Sequence, residues 1–166
     1  MNSRILHNIK YNKKGNDCIT TPTELAKYCI SIVPLVGGDL VLDPAKGNGS
    51  FFNNFPSYVT KNYCELNEGI DFFNYTKETD WAITNPPYSI LDEWLIHSTQ
   101  LCKKGFGYLL GINNITPRRI EIMNNMNFGL THLHLCKVFK YMGMSIFVVF
   151  EKKKPNIITY DRIVWR

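Results

Sequence analysis

The sequence predicts an α/β fold in which helices cover both faces of a mostly parallel sheet, as in a three-layer sandwich. Strand-like and helix-like segments alternate along the 166 residues, a length that suits one domain. Several of the strand-like segments, such as "DLVLD" and "FGYLLGI", are almost continuously apolar, which is typical of strands that are buried on both faces of a parallel sheet. A glycine-containing loop, "PAKGNGS", follows the first of these strands, and open α/β sheets bind ligands at the carboxyl ends of their strands.

The first half of the chain supplies one helix and three strands. Residues 21–24, Thr-Pro-Thr-Glu, match a capping box with proline at the first helical position, and Pro34 ends the helix that they start. A Gly-Gly turn then leads into "DLVLD", a short buried strand that ends at Asp43. Beyond the glycine loop, "KNYCE" predicts a second strand that ends at Glu65, and "DWAITN" predicts a third.

The second half predicts two further helices and three strands. Ser89 caps a helix that closes at residues 103–105, Lys-Lys-Gly, before the buried strand "FGYLLGI". Thr116 opens a helix that runs through Met126, and Gly129 ends it. The strands "THLHLC" and "SIFVVFE" follow and predict an antiparallel pair at one edge of the sheet.

The composition is that of a soluble intracellular protein. No apolar run is as long as a membrane span, and the polar N-terminus lacks the apolar segment of a signal peptide. The five cysteines show no C-x-x-C pair and no spacing typical of metal ligands, so no metal site is expected. Asn, Ile and Lys are abundant, which is consistent with an AT-rich genome such as that of a virus or mobile element.

The net charge of +5 is unevenly distributed. Residues 1–20 carry a net charge of +3, residues 21–100 carry −6, and residues 101–166 carry +8. An acidic middle between basic ends predicts one surface for a cationic small molecule and another for a polyanion. Ordinary solvated faces would explain the same charges equally well.

Three polar features follow predicted strands. They are the loop from Asp43 to Gly49, the acid Glu65, and an Asn-Pro-Pro-Tyr motif at residues 85–88. Because right-handed crossovers bring the carboxyl ends of parallel strands to one edge, we expect all three features around one ligand site. The glycines and Glu65 are weak signals alone and the tetrapeptide is a stronger one, whereas the three in this order are highly specific.

This set resembles the motifs of the S-adenosylmethionine-dependent amino-group methyltransferases, in particular the enzymes that methylate DNA adenine at N6. The resemblance runs from residue 21 to about residue 151. It implies a Rossmann-like class I methyltransferase fold with a C-terminal antiparallel hairpin, S-adenosylmethionine as cofactor and S-adenosylhomocysteine as product. Only five residues separate Glu65 from Asp71, which leaves no room for the family's usual helix and strand, so the sheet is expected to be shortened at that edge.

The resemblance also assigns a cofactor site. The residues that it places on the cofactor are Thr21, Pro22, Asp43, Pro44, Ala45, Gly47, Asn48, Gly49, Glu65, Asp71 and Phe72. The two glycines let the backbone approach the methionine part of the cofactor, and Asp43 meets its ammonium group directly or through water. Glu65 accepts from the ribose diol, and Asp71 accepts from the adenine amino group with Phe72 packed on the ring. Lys46 and Asn48 depart from the residues that the family usually has in this loop.

The catalytic residues implied are Asn85, Pro86, Pro87 and Tyr88. An exocyclic adenine amine is a poor nucleophile because its lone pair delocalises into the ring. The Asn85 side-chain oxygen and the Pro86 carbonyl would accept its two hydrogens, and the prolines pre-organise these acceptors because they fix φ and add no donor. Tyr88 would stack on a base that is flipped out of the duplex.

Substrate binding is expected from basic residues, because no inserted or appended target-recognition domain is visible in the sequence. Arg118 and Arg119 start a helix just after a strand end, where phosphate contacts are expected, although solvated helix residues are an equal alternative. Phe139 or Tyr141 falls where the family often places an aromatic residue near the flipped base, and packing in the core is the alternative for both. Sequence specificity is then expected to be slight, to cover a short sequence or to be supplied by a protein partner. The expected partners are DNA and either a second copy of the chain or a protein that gives specificity.

Two other functions fit the same residues. The same transfer could act on RNA or on a protein glutamine, but the Thr-Pro segment favours DNA and the basic ends disfavour a protein substrate. A non-catalytic nucleic-acid-binding subunit would explain the missing recognition domain, whereas the intact Asn85, Tyr88 and glycine loop argue against it. The predicted organisation is a basic arm at 1–20, a catalytic domain at 21–155 and a tail at 156–166.

Overall fold

The computed structural model describes residues 20–138 and 143–162. Its helices and strands, in chain order, are α1 (Thr23–Ile32), β1 (Leu40–Asp43), β2 (Thr60–Tyr63), β3 (Thr79–Thr84), α2 (Leu91–Leu101), β4 (Cys102–Gly111), α3 (Pro117–Asn125), β5 (Phe128–Cys136) and β6 (Ser145–Lys152). Phe139, Tyr141 and nearly all of the predicted basic arm lie outside the described residues. Among the helices described, none is long and apolar enough to cross a membrane.

The six strands form one sheet in the order β2-β1-β3-β4-β6-β5. Strand β1 pairs in parallel with β2 and β3, and β3 pairs in parallel with β4. Strand β6 is antiparallel to both β4 and β5. The prediction of a mostly parallel sheet that ends in an antiparallel pair is confirmed. The predicted shortening is confirmed too, because β2 lies at the edge of the sheet and the chain goes directly from it through short 3-10 turns to β3.

Apolar side chains are buried on both faces of this sheet, which explains the continuous apolar runs in the sequence. In β4, Phe106 and Tyr108 pack in one core cluster with residues of α2 and α3, and Leu109 packs in the other with residues of α1. The helices therefore form the two outer layers of the predicted sandwich. The central layer holds β1 and β3 with their carboxyl ends side by side, since Val41 pairs with Trp81 in parallel register.

The predicted starts of the first two helices are wrong. Helix α1 begins at Thr23, its N-cap residue is Pro22, and no side chain caps it. The Pro22 carbonyl accepts from the Ala26 N–H at 3.0 Å, which makes Pro22 the N-cap residue. Thr21 therefore precedes the cap position, and its side chain does not cap the helix. Helix α2 begins at Leu91 because the two prolines lead first into a 3-10 turn, Tyr88–Ile90, which contains Ser89.

Two predicted helix ends are also wrong. Residues 103–105 lie in β4, because the chain passes from helix to strand at Cys102 without a loop. Lys104 pairs there with the buried Asp39 and does not close the helix. After α3, the left-handed residue is Asn127, with φ 64°, while Gly129 lies within β5.

The chain beyond β6 lies back on the domain as far as it is described. The Asn156 side chain accepts from the Leu130 N–H at 2.7 Å and donates to the Asn124 side chain at 2.9 Å. Farther on, Arg162 pairs with Glu121 of α3. These contacts hold the first part of the predicted tail against α3 and the start of β5.

Candidate active site

The three polar features predicted to share a site lie together at one edge of the sheet. Asp43 ends β1, Glu65 follows β2, and Asn85 follows β3. The Gly47 N–H donates to Oε2 of Glu65 at 2.7 Å, which joins the first two features. The hydroxyl of Thr84 donates to Oδ1 of Asp43 at 2.7 Å, which joins the first strand to the residue before Asn85.

The glycine loop needs its two glycines for different reasons. Both have left-handed backbone angles, with φ 53° at Gly47 and φ 86° at Gly49. A Cβ on Gly49 would lie 2.5 Å from Nδ2 of Asn53, whereas a Cβ on Gly47 would meet nothing closer than the Ala45 carbonyl at 4.0 Å. Gly49 therefore allows close packing within the loop, and the space above Gly47 is open to a ligand.

Asp43 supports this loop from beneath. Its side chain is fully buried and accepts from the Ala45 N–H at 3.3 Å, from the Phe52 N–H at 3.1 Å and from the Thr84 hydroxyl at 2.7 Å. Burial nevertheless raises the pKa of the Asp43 carboxyl to about 7, because desolvation disfavours the charged form more than these donors favour it. In this structure the Asp43 carboxylate holds the loop in shape and does not line its open side.

The contribution of Asp43 to the free energy of unfolding should fall as pH rises from about 4 to about 7. Its pKa is 3.8 as a free carboxyl and about 7 in the fold, so the folded state keeps a proton that the unfolded state loses in this window. This contribution to the free energy of unfolding then decreases with rising pH. Urea unfolding at several pH values should show that, with rising pH, the free energy of unfolding decreases less, or increases more, in Asp43→Asn than in the unchanged protein, and equal slopes would contradict the assignment.

Glu65 joins the glycine loop to the loop after β2. It is half-buried, its Oε2 accepts from Gly47, and its Oε1 accepts from the Asn67 N–H at 3.0 Å. An ionised carboxylate has about four acceptor positions, so each oxygen can accept a further hydrogen bond. A ligand diol is a suitable donor pair for an acid in this position.

A pocket opens between the glycine loop and the segment after β2. It is lined by Pro44, Ala45, Glu65, Leu66, Asn67, Ile70, Asp71, Phe72 and Trp94. Asp71 begins a 3-10 turn by accepting from the Phe73 N–H at 3.0 Å. The ring of Phe72 lies 4.4 Å from that of Trp94, so an aromatic pair lies at the inner side of the pocket.

Four of these lining residues were not predicted. Leu66 and Ile70 are exposed apolar residues between the two acids of the motif, a signal that the sequence could have given. Asn67 contributes mainly through its backbone contact with Glu65. Trp94 belongs to α2, and only the fold brings that helix to the pocket.

The unusual Lys46 of the glycine loop is held to one side. Its Nζ lies 2.5 Å from Oε1 of Glu68 and 3.9 Å from the centre of the Tyr63 ring. The Tyr63 hydroxyl donates to the other oxygen of Glu68 at 2.9 Å. The hydrogen bond to Glu68 raises the pKa of Lys46, so this lysine remains charged and directed towards Glu68.

The Asn-Pro-Pro-Tyr motif has a buried centre and accessible ends. Pro86 and Pro87 are buried, while Asn85 and Tyr88 are half-buried. The Asn85 amide nitrogen donates to Oγ1 of Thr21 at 3.3 Å. The Tyr88 hydroxyl lies 3.3 Å from Oδ1 of Asn85 and 3.4 Å from the Leu109 carbonyl oxygen. Thr21, which was predicted on the cofactor, thus contacts the predicted catalytic amide.

The two arginines predicted to bind phosphate have different surroundings. Nε of Arg119 donates to Asp92 at 2.6 Å and its Nη1 donates to the Asn114 carbonyl at 2.8 Å. Arg118 also pairs with Asp92, yet its side chain is 59% exposed, against 19% for Arg119. Arg119 therefore joins α2 to α3, and Arg118 presents its guanidinium to solvent.

Solved structures of methyltransferases share this architecture. Magnesium protoporphyrin IX methyltransferase from Synechocystis PCC 6803, solved with S-adenosylmethionine, gives a TM-score of 0.62 at 12% identity over 78% of this chain and 76% of that one. The chain has the class I methyltransferase fold. Precorrin-6y C5,15-methyltransferase from Geobacter metallireducens GS-15 gives 0.60 at 12% identity, over 84% of this chain and 93% of that one.

A third similar structure is the Mtq2–Trm112 complex of E. cuniculi, which methylates the translation termination factor eRF1. It gives a TM-score of 0.58 at 14% identity, over 86% of this chain and 98% of that one. No protein-family model and no curated protein sequence matches the chain. The proteins in the three named structures act on a porphyrin, a precorrin and a protein. The fold alone therefore does not select a substrate.

Proposed function

We propose that the protein transfers a methyl group from S-adenosylmethionine to the exocyclic N6 amine of adenine in DNA, with S-adenosylhomocysteine as the second product. The observation that supports this most strongly is the position of Asn85 in an Asn-Pro-Pro-Tyr motif. It lies at the same sheet edge as the glycine loop and Glu65. A cofactor pocket and a pair of amine acceptors would then face each other across that edge.

The pocket residues fit this cofactor. Glu65 has acceptor positions left for a ribose diol, and the open backbone at Gly47 admits the methionine part. Asp71 would accept from the adenine amino group beside the Phe72 ring. The similar structure from Synechocystis PCC 6803 was solved with S-adenosylmethionine. The net negative charge of residues 21–100 suits a cationic sulfonium.

The chemistry asked of the protein is mainly positioning. S-adenosylmethionine, when bound, would supply an electrophilic methyl group on its sulfonium: the amine lone pair would form the new N–C bond, and the sulfur would keep the electron pair of the broken C–S bond as a thioether. Oδ1 of Asn85 and the Pro86 carbonyl accept hydrogens of the amine and favour a nitrogen lone pair directed at the methyl group. Tyr88 would hold the flipped base, and the methylated nitrogen would then lose one proton to solvent water.

A second candidate is methylation of a protein amide, which the similarity to the E. cuniculi structure favours. The net charge of +8 on residues 101–166 favours a polyanionic substrate instead. Incubation of the protein with methyl-labelled cofactor and, separately, DNA, RNA and a protein extract tests the two candidates. Label in DNA supports the proposal, and label only in RNA or in protein would replace it.

Replacement of Arg118 by alanine should weaken DNA binding equally for all sequences. An exposed guanidinium that contacts one phosphate contributes about one unit to the log–log slope of affinity against salt, so that slope should fall by about one. Arg119→Ala should mainly lower the free energy of unfolding, because Arg119 pairs with Asp92 and Asn114. Salt titrations of both variants, with the exposed Lys27→Ala on α1 as the control, measure this, and an unchanged slope for Arg118→Ala would exclude the phosphate contact.

A further inference from the structure

Thr21 lies in contact with the catalytic motif although it is distant in sequence. Its side chain is 5% exposed, and its hydroxyl oxygen lies 3.3 Å from the Asn85 amide nitrogen. Helix α1 makes no use of this hydroxyl, since its first turn has no side-chain cap. A buried polar group normally has a hydrogen-bond partner, and the Asn85 amide is such a partner for the Thr21 hydroxyl.

The main chain of Thr21 is itself held in place. The Ser50 hydroxyl donates to the Thr21 carbonyl at 2.7 Å and also lies 2.8 Å from Oδ1 of Asn48. On the other side, Pro22 has a fixed φ of −58° and leads directly into α1. The hydroxyl of Thr21 is therefore presented to Asn85 by a rigid segment that is joined to the glycine loop.

We infer that Thr21 is a positioning residue that holds the Asn85 side-chain amide in place. An amide has an oxygen end that accepts and a nitrogen end that donates, and the two ends are nearly equal in shape. In this structure Nδ2 donates to the Thr21 hydroxyl, and Oδ1 has two acceptor lone pairs, so it can accept from the target amine. The Tyr88 hydroxyl, 3.3 Å from Oδ1, is a second contact to the same amide.

The orientation matters because a rotated amide would place two N–H groups where the target amine brings its own hydrogens. Asn85 would then repel the substrate group that it has to hold. Without the hydroxyl of Thr21, the amide would lose this contact and would be held less firmly in the productive orientation. This inference rests on the proposed amino-group transfer, and it deepens it by assigning the residue that orients the acceptor.

The test compares Thr21→Val, which keeps the shape and loses the acceptor, with Thr21→Ser, which keeps the hydroxyl. Thr23→Val, the same change at an exposed position two residues on, is the matched control. The kcat of methyl transfer to adenine-containing DNA should fall about 10-fold in Thr21→Val, as expected for one lost hydrogen bond. Thr21→Ser should retain a kcat within about threefold of that of the unchanged protein. Cofactor affinity and melting temperature should stay near those of the unchanged protein.

Two results would overturn the inference. One is an unchanged kcat in Thr21→Val, and the other is a loss of cofactor affinity with kcat unchanged at saturation, which would make Thr21 a cofactor ligand only. The side-chain NH₂ resonances of Asn85, assigned with Asn85→Asp, give a readout that needs no activity. They should shift in Thr21→Val and not in Thr23→Val. If DNA is not a substrate, the proposed function fails, and these resonances still decide whether Thr21 orients Asn85.

Discussion

Replacement of Asn85 by alanine should lower the kcat of methyl transfer by about 100-fold or more. Oδ1 of Asn85 would act mainly in the transition state, where it accepts a hydrogen from the amine as positive charge develops on the nitrogen. The hydrogen bonds that Asn85 makes to Thr21 and Tyr88 are long, at 3.3 Å each, and the side chain is half-buried. Its loss should therefore change stability and cofactor affinity little.

Tyr88, at the other end of the motif, provides the matched comparison with Asn85. Tyr88→Phe keeps the ring and loses a hydroxyl whose contacts are 3.3 and 3.4 Å long, so its activity should change only a few-fold. Tyr88→Ala should weaken capture of the flipped base by about 1–3 kcal/mol. Single-turnover kinetics at saturating cofactor separate these effects. An Asn85→Ala protein that remains fully active would exclude the mechanism.

Replacement of Glu65 by alanine should weaken binding of S-adenosylmethionine by about 100-fold or more. Hydrogen bonds to a charged acceptor contribute about 1.5–3 kcal/mol each, and the variant would lose those to the ribose diol. It would also lose the two that Glu65 makes to the N–H groups of Gly47 and Asn67, so the glycine loop would lose a support as well. Isothermal titration calorimetry measures the affinity.

Glu68→Ala is the control for charge, because Glu68 is three residues away and equally acidic. Its carboxylate pairs with Lys46 and Tyr63 near the surface, and such exposed pairs contribute little. Cofactor affinity should therefore change by less than about fivefold in this variant. Equal losses in Glu65→Ala and Glu68→Ala would mean that net charge near the loop, and not a specific acceptor, holds the cofactor.

The sequence predicted the sheet and the meeting of the three polar features because both follow from local patterns. Apolar strands such as "FGYLLGI" need two covered faces, and parallel strands place Asp43, Glu65 and Asn85 at one edge without further information. The shortened edge followed from the five residues between Glu65 and Asp71, which are too few for a further helix and strand.

The sequence failed where tertiary contacts compete with local signals. Thr21 fits the pattern of a helix cap, but its hydroxyl lies against Asn85, 64 positions away. Arg119 has the pattern of an exposed first-turn residue, yet Asp92 on another helix engages it. Trp94 carries no local sign of a ligand pocket, and it reaches the pocket only because α2 packs beside the loop after β2.

Nucleoside mass spectrometry is the most direct test of methyl transfer to the N6 amine of adenine in DNA. Unmethylated duplex DNA would be incubated with the cofactor and either the unchanged protein or Asn85→Ala, and then digested to nucleosides. We expect N6-methyladenine with the unchanged protein and almost none with the variant. Equal amounts with both proteins, or methyl groups found only on RNA or on protein, would contradict it.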